Sequence, residues 1–209
     1  MVNNSYDRVA RYYDFLKGVV FGNAIIASQV SLLEFIPPDS KILIVGGGTG
    51  EILEKIAELY PSRLQITYVE ISEKMMDISR KRNVGNHPIE FITKPVEEFT
   101  PAGIYDVIIT PFLFDNFKVN KIEKIIQQLN VYLAPNGYWL YIDFNADTIK
   151  PLWQKILLKC MYTFFRILGH IEADTLVDAK VFLEEKYTRI FKSKFYAGFI
   201  RSYAFKKSG

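Results

Sequence analysis

The stretch KILIVGGGTGEIL, residues 41–53, decides how this chain is read. Four apolar residues, Ile42, Leu43, Ile44 and Val45, run into Gly46, Gly47 and Gly48, then Thr49 and Gly50. Glu51 and Ile52 open a helical pattern that continues to Tyr60. A short apolar run, a glycine turn and an amphipathic helix make the first β-α unit of an open α/β sheet. Glycine in such a turn lets a ligand approach the backbone, and the N–H groups at the helix start favour an anionic group. The spacing is G-x-G-x-G. The dinucleotide fingerprint G-x-G-x-x-G would require glycine where Glu51 stands, and a carboxylate there sits poorly beside a pyrophosphate.

An acidic residue follows at the expected place. Residues 65–70, QITYVE, read as the second strand, closed by Glu70, whose carboxylate can accept from both hydroxyls of a ribose. The G-x-G-x-G turn followed by a strand-end acid resembles class I S-adenosylmethionine (SAM) methyltransferases. The paired Tyr-Asp elements of YDRVARYYD, Tyr6-Asp7 and Tyr13-Asp14, resemble the start of the ubiquinone and menaquinone biosynthesis type. The resemblance implies an α/β Rossmann-like fold. Its seven-stranded sheet has the order 3-2-1-4-5-7-6, with helices on both faces. It implies SAM as cofactor, held by Gly46, Gly47, Gly48, Gly50, Glu51, Glu70, Ile71, Met75, Val96 and Thr110. Met75 would wall the adenine with a soft thioether. Two departures stand out. Ile44 occupies a position where the family often has an acid that orders the glycine loop, and Pro95 falls where an Asp is common, leaving Glu97 to replace it.

Composition bounds the alternatives. A chain of 209 residues is one domain with room for a full α/β core. Within it, residues 1–36 form an N-terminal helical cap or lid, 41–144 the cofactor core, and 150–209 a helical segment with a closing hairpin. A net charge of +3 is too small to argue for nucleic acid, and none is expected as a partner. The single cysteine, Cys160, excludes an internal disulfide and fits a reducing, cytoplasmic setting. With only His87 and His170 and no Cys/His cluster, no metal site is expected. The N-terminus lacks the apolar stretch of a signal peptide, and no segment is long and charge-free enough to span a bilayer. Oligomeric state is not legible.

Along the chain, residues 5–15 and 23–35 read as helices, the second stopped by Pro37-Pro38. Ser72 caps a helix start, residues 89–93 form a third strand, and 105–110 a fourth that Pro111 ends. Residues 121–133 read as a helix, 135–137 as a turn, 138–144 as the fifth strand, 173–187 as a helix, and 189–196 and 199–206 as the hairpin. Residues 152–168 are apolar around most of their circumference yet interrupted by Lys155, Lys159 and Arg166. That pattern suits a pocket roof, a buried helix or a peripheral contact with anionic lipid.

Ligands of such sheets bind beyond the carboxyl ends of the strands, so Thr110, Pro111, Phe112, Asp115 and Asn116 are best placed for a substrate. Methyl transfer from a sulfonium is an in-line displacement that needs alignment and, for a hydroxyl or carbon acid, a base. Asp115 is the first candidate for that base, with Tyr13 and Asp143 behind it, and Phe112, Phe114 and Phe117 are candidate aromatic walls. No N-P-P-Y or D-P-P-Y pattern is present, which leaves O- or C-methylation of a small, apolar or aromatic acceptor as the leading expectation. A noncatalytic SAM-binding module and, less favoured, a nicotinamide-dependent oxidoreductase are the alternatives.

Overall fold

Near-continuous apolar strands are the mark of a parallel sheet covered on both faces. In the computed structural model, which describes residues 18, 20–61, 63–145, 151–157 and 177–209, the sheet has this form. Seven strands are ordered β3-β2-β1-β4-β5-β7-β6. They are β1 (Lys41–Val45), β2 (Gln65–Glu70), β3 (Ile89–Thr93), β4 (Tyr105–Pro111), β5 (Leu133–Phe144), β6 (Thr188–Phe195) and β7 (Ile200–Lys206). The first five run parallel, and β7 pairs antiparallel with both β5 and β6.

Side-chain alternation splits the core into two layers. Ile42 and Ile44 of β1, with Leu140 and Ile142 of β5, face α1 (Ala24–Val30) and α2 (Glu51–Leu59). Leu43, Val45, Trp139 and Tyr141 face the opposite way, toward α4 (Val119–Asn130) and α5 (Lys180–Glu184). A further helix, α3 (Glu73–Ser79), lies between β2 and β3 in the chain and gives Met76 to the first layer.

Three elements differ from the sequence expectation. The helix expected over 23–35 ends at Val30 and resumes as a 3-10 turn at Leu33–Phe35. Ser28 and Ser31 turn their hydroxyls back onto Ile25 O and Ser28 O, a back-bonding that bends helices. The turn expected at 135–137 lies inside β5 instead. Tyr105 pairs with Leu133 and Val107 with Tyr138, so residues 134–137 bulge opposite Asp106 alone. The helix expected over 173–187 contains only α5 among its described residues. Residues 1–17 and 19 of the cap expected over 1–36, Tyr13 included, and residues 158–168 of the expected roof lie outside the described residues.

Candidate active site

The site forms where β1, β2 and β4 release the chain. β1 ends at Val45, and Gly46 N–H still donates to Val69 O at 2.8 Å before the glycine turn leaves the sheet. Gly47 passes directly over β2. A Cβ there would lie 2.4 Å from the ring of Tyr68, so only glycine lets the loop lie this close. Gly50 caps α2 with φ at +81°, and a Cβ there would meet that of Ser79 at 2.7 Å. At Gly48 an added Cβ meets nothing within 4 Å, so the loop faces open space on that side.

Glu70 organises this space. It is 5% exposed, and each carboxylate oxygen takes one backbone N–H: Oε2 from Gly48 at 2.9 Å and Oε1 from Ser72 at 2.9 Å. A buried carboxylate bonded to two amides, beside a glycine turn at the strands' carboxyl ends, fits the hydroxyls of a nucleoside sugar. An open groove at the other end of the sheet, lined by Gln65, Pro88, Glu90 and Gly103 among others, lacks that arrangement.

Comparison with known proteins agrees with this geometry. Residues 42–137 match the family described as "Methyltransferase domain". The ubiquinone/menaquinone biosynthesis C-methyltransferase UbiE of Wigglesworthia glossinidia brevipalpis is 28% identical over 193 residues, covering 88% of this chain and 75% of the relative. The malonyl-[acyl-carrier protein] O-methyltransferase of Halalkalibacterium halodurans is 34% identical over 116 residues, covering 53% of this chain and 41% of that one. Among solved structures, the N-methyltransferase NodS of Bradyrhizobium japonicum WM9, in complex with S-adenosyl-L-homocysteine, superposes with a TM-score of 0.70 at 14% identity. That match covers 99% of this chain and all of NodS. Mitomycin 7-O-methyltransferase MmcR gives 0.71 at 13% identity, over 99% and 62% of the two chains.

The chain carries a methyltransferase domain in the class I fold. Enzymes of this class use SAM, and the glycine turn with Glu70 is the donor set that suits it.

The methyltransferase replaces the missing loop acid by other means. Ile44 is fully buried in the first core layer and takes no part in the turn. The turn is held instead by Tyr68, whose hydroxyl donates to Gly48 O at 3.0 Å, and by Arg82, whose Nε donates to Thr49 O at 2.9 Å. Arg82 also pairs with Glu54 of α2 at 3.3 Å. Neither Tyr68 nor Arg82 stands out in the sequence. The alternation of β2 places Tyr68 below the turn, whereas Arg82 reaches Thr49 across 33 positions with no local signal.

The other expected residues are distributed unevenly. Glu51 opens α2 and is half-buried, and Ile71 is 41% exposed just beyond Glu70. Met75 is buried in α3, its N–H capped by the Ser72 hydroxyl at 3.2 Å, and it belongs to neither core layer. Val96 opens a 3-10 turn after Pro95, its carbonyl bonded to the Gln128 side chain at 3.1 Å. Glu97 is turned to α4, where it pairs with Lys121 at 2.5 Å, so it does not supply the acid missing at Pro95. Thr110 is fully buried, and its hydroxyl accepts from Trp139 Nε1 at 3.0 Å. Its side chain is committed to the core, and its backbone lies in the β4–β5 ladder opposite Tyr141.

Beyond β4, Phe112 is held at φ +51°, a costly conformation for an aromatic residue, and packs on Phe144 with ring centroids 5.0 Å apart. Phe114 is no pocket wall, being fully buried against Tyr141, and Phe112 is the part-buried edge of a core aromatic cluster of Phe144, Phe199 and Phe21. Asn116 fixes the turn by donating to Phe112 O, Leu113 O and, at 2.7 Å, Asp115 Oδ1. Asp115 is half-buried, and desolvation pushes its carboxyl up to about 7, against the opposing pull of the Asp115 backbone N–H. A carboxylate that titrates near neutrality at a strand exit is suited to accept a proton.

Proposed function

We propose that this methyltransferase transfers a methyl group to an oxygen or carbon nucleophile of a small, apolar or aromatic acceptor, with Asp115 as general base. The observation that carries the reading is the position of Asp115. It lies beyond the carboxyl end of β4, three residues after the part-buried Phe112, with a carboxyl raised to about 7. In this reading Glu70 accepts the ribose hydroxyls, the backbone of Gly46, Gly47, Gly48 and Gly50 and the Glu51 side chain border the methionine end. Ile71, Met75 and Val96 border the adenine, and the Thr110 backbone closes the strand exit. Bound SAM supplies an electrophilic methyl carbon on a positively charged sulfur.

The protein's task is then alignment and proton removal. Asn116 holds the turn that presents Asp115, and Phe112, braced from behind by Phe144, offers flat apolar surface to the acceptor. Leu152, Trp153 and Ile156 are 73, 43 and 54% exposed in a helical stretch tied to the β6–β7 hairpin by Gln154, which donates to Ala197 O. With Lys155 they support an apolar acceptor delivered from a peripheral lipid surface. The relatives named above span C-, O- and N-methylation, so the acceptor panel must be broad.

The test is transfer of label from methyl-labelled SAM to phenols, quinols, acyl compounds and amines. Transfer to phenols or quinols, lost in Asp115→Asn, supports the reading. Transfer to polar amines alone overturns it. Flotation with vesicles containing phosphatidylglycerol tests the surface role, and no binding at low salt removes it.

A further inference from the structure

We propose that Lys192, Lys194 and Arg201 form an anion-binding subsite that holds a carboxylate or phosphate group of the methyl acceptor. The subsite belongs to the acceptor site proposed beyond β4 and so rests on that reading. It adds that the apolar or aromatic acceptor carries an anionic group.

The cations are gathered by register. β7 lies between β5 and β6, and residues directly opposite in antiparallel pairs share a face. Asp143, Arg201 and Lys194 therefore stand in one row across the three strands. Tyr141, Tyr203 and Lys192 form the next row on the same face. Lys194 is directly opposite Arg201, a like-charged cross-strand pair that destabilises a sheet. Further cations converge on Tyr203, which is 1% exposed. Lys192 Nζ lies 5.9 Å and Lys180 Nζ 6.0 Å from its ring centroid, and Arg201 Nη1 donates to its hydroxyl at 3.5 Å.

Local acids offset only part of this charge. Asp178 pairs with Lys180 at 3.3 Å, and Glu184 pairs with Arg189. Among the described residues, Lys192 and Lys194 have no carboxylate partner. Asp143, the acid in the row, accepts the Phe144 N–H through Oδ1 at 2.8 Å. Burial holds its carboxyl well above the usual carboxylate range, so it does not neutralise its neighbours. Burial and the crowding of Arg201, Arg189, Lys194 and Lys180 hold the Lys192 amine below its usual value. An anion bridging the rows turns this repulsion into attraction. A guanidinium fork beside two ammonium groups suits the oxygens of a carboxylate or a phosphate.

The subsite is within reach of the acceptor. The turn that carries Asp115 packs Phe114 on Tyr141 with ring centroids 6.0 Å apart, and Tyr141 stacks on Tyr203 at 5.9 Å. These contacts run from the turn of the proposed base to the cations. β7 lies two strands from β4, roughly 10 Å at the usual inter-strand spacing. A phenol with a short acid chain spans that distance. Ammonium groups drawn over a buried ring at the strand ends suit a group on a bound small molecule better than a flat lipid surface.

Binding to the full chain tests the subsite without turnover. The probes are inorganic phosphate, phloretate (a phenol with a propanoate chain) and the uncharged methyl ester of phloretate. Nuclear magnetic resonance of labelled lysine side chains, assigned from Lys192→Gln and Lys194→Gln, should show both resonances shifting saturably with phosphate. By calorimetry, phloretate should bind about tenfold tighter than its ester, the worth of charge-assisted hydrogen bonds to one anionic group. The difference should vanish in the double glutamine variant and return when both positions are Arg. With methyl-labelled SAM, the double glutamine variant should raise KM for phloretate about tenfold with kcat near wild type. Equal affinity for acid and ester, no shift with phosphate, or a fall in kcat at unchanged KM overturns the proposal. Loss of flotation with phosphatidylglycerol vesicles in the double glutamine variant, with phloretate binding kept, assigns the cations to a membrane and also overturns it. If wild type transfers no methyl group to any phenol, the proposed acceptor class fails, while the phosphate titration still decides whether the anion site exists.

Discussion

Replacing Glu70 by alanine should damage the fold and the cofactor site together, by amounts that the geometry sets. Glu70 is 5% exposed and receives two backbone N–H groups, Gly48 and Ser72, each at 2.9 Å. Its removal leaves both donors without their acceptor. A buried donor left unmade costs about 1–3 kcal/mol, and water entering the vacated space recovers part of this. The expected loss is about 2–4 kcal/mol of stability, which for a chain of this size lowers Tm by roughly 4–16 °C. The loss of a ribose acceptor weakens SAM binding separately, by about 1–3 kcal/mol or roughly 5- to 150-fold. Thermal unfolding reads the first effect and titration calorimetry with SAM the second. Glu70→Gln tells whether charge or shape matters. It keeps one oxygen but turns an amide N–H₂ toward Gly48 N–H or Ser72 N–H, so it should fall between wild type and alanine. Unchanged stability and unchanged affinity in both variants would refute the role given to Glu70.

Tyr68→Phe removes the 3.0 Å bond to Gly48 O and should cost about 1 kcal/mol in urea unfolding, with SAM affinity lowered a few-fold. Gly47→Ala drives a Cβ to within 2.4 Å of the Tyr68 ring and should cost about 1–3 kcal/mol. The cost should shrink in a Tyr68→Ala background, as a double-mutant cycle would measure. Asp115 binds more protons folded than unfolded between pH 4 and about 7, so wild-type stability should fall as pH rises through that window. Its partial exposure limits the total to about 1–3 kcal/mol. Asp115→Asn should flatten this dependence and be the more stable form at pH 8, and parallel pH curves for the two proteins would count against the raised carboxyl.

Local pattern revealed most of the sheet. Each parallel strand is a short apolar run, and Gly46, Gly48, Gly50 and Glu70 are legible because a tight turn and a strand-end acid need those residue types at that spacing. The contacts that fix the turn were not legible. Arg82 meets Thr49 from 33 positions away, and nothing near Arg82 distinguishes it from other surface cations. The aromatic wall was misplaced at Phe114 because residues that follow a strand do not keep its alternation. The 3-10 turn at Phe114–Asn116 rotates that ring into the core while leaving Asp115 half-buried. The turn over 135–137 was legible as a turn, but its absorption into β5 depends on pairing with Tyr105 and Val107, which local sequence does not encode. Ile44 read as a defect in the cofactor loop. In three dimensions Tyr68, Glu70 and Arg82 anchor the same loop from other directions.

Equilibrium dialysis of the full chain against SAM, with nicotinamide adenine dinucleotide in parallel, tests the central claim most directly. The turn over Tyr68 and the doubly bonded Glu70 carboxylate predict saturable binding of SAM, competed by S-adenosylhomocysteine and weakened in Glu70→Ala, with no retention of the dinucleotide. Retention of the dinucleotide, or no binding of SAM at millimolar concentration, would contradict it.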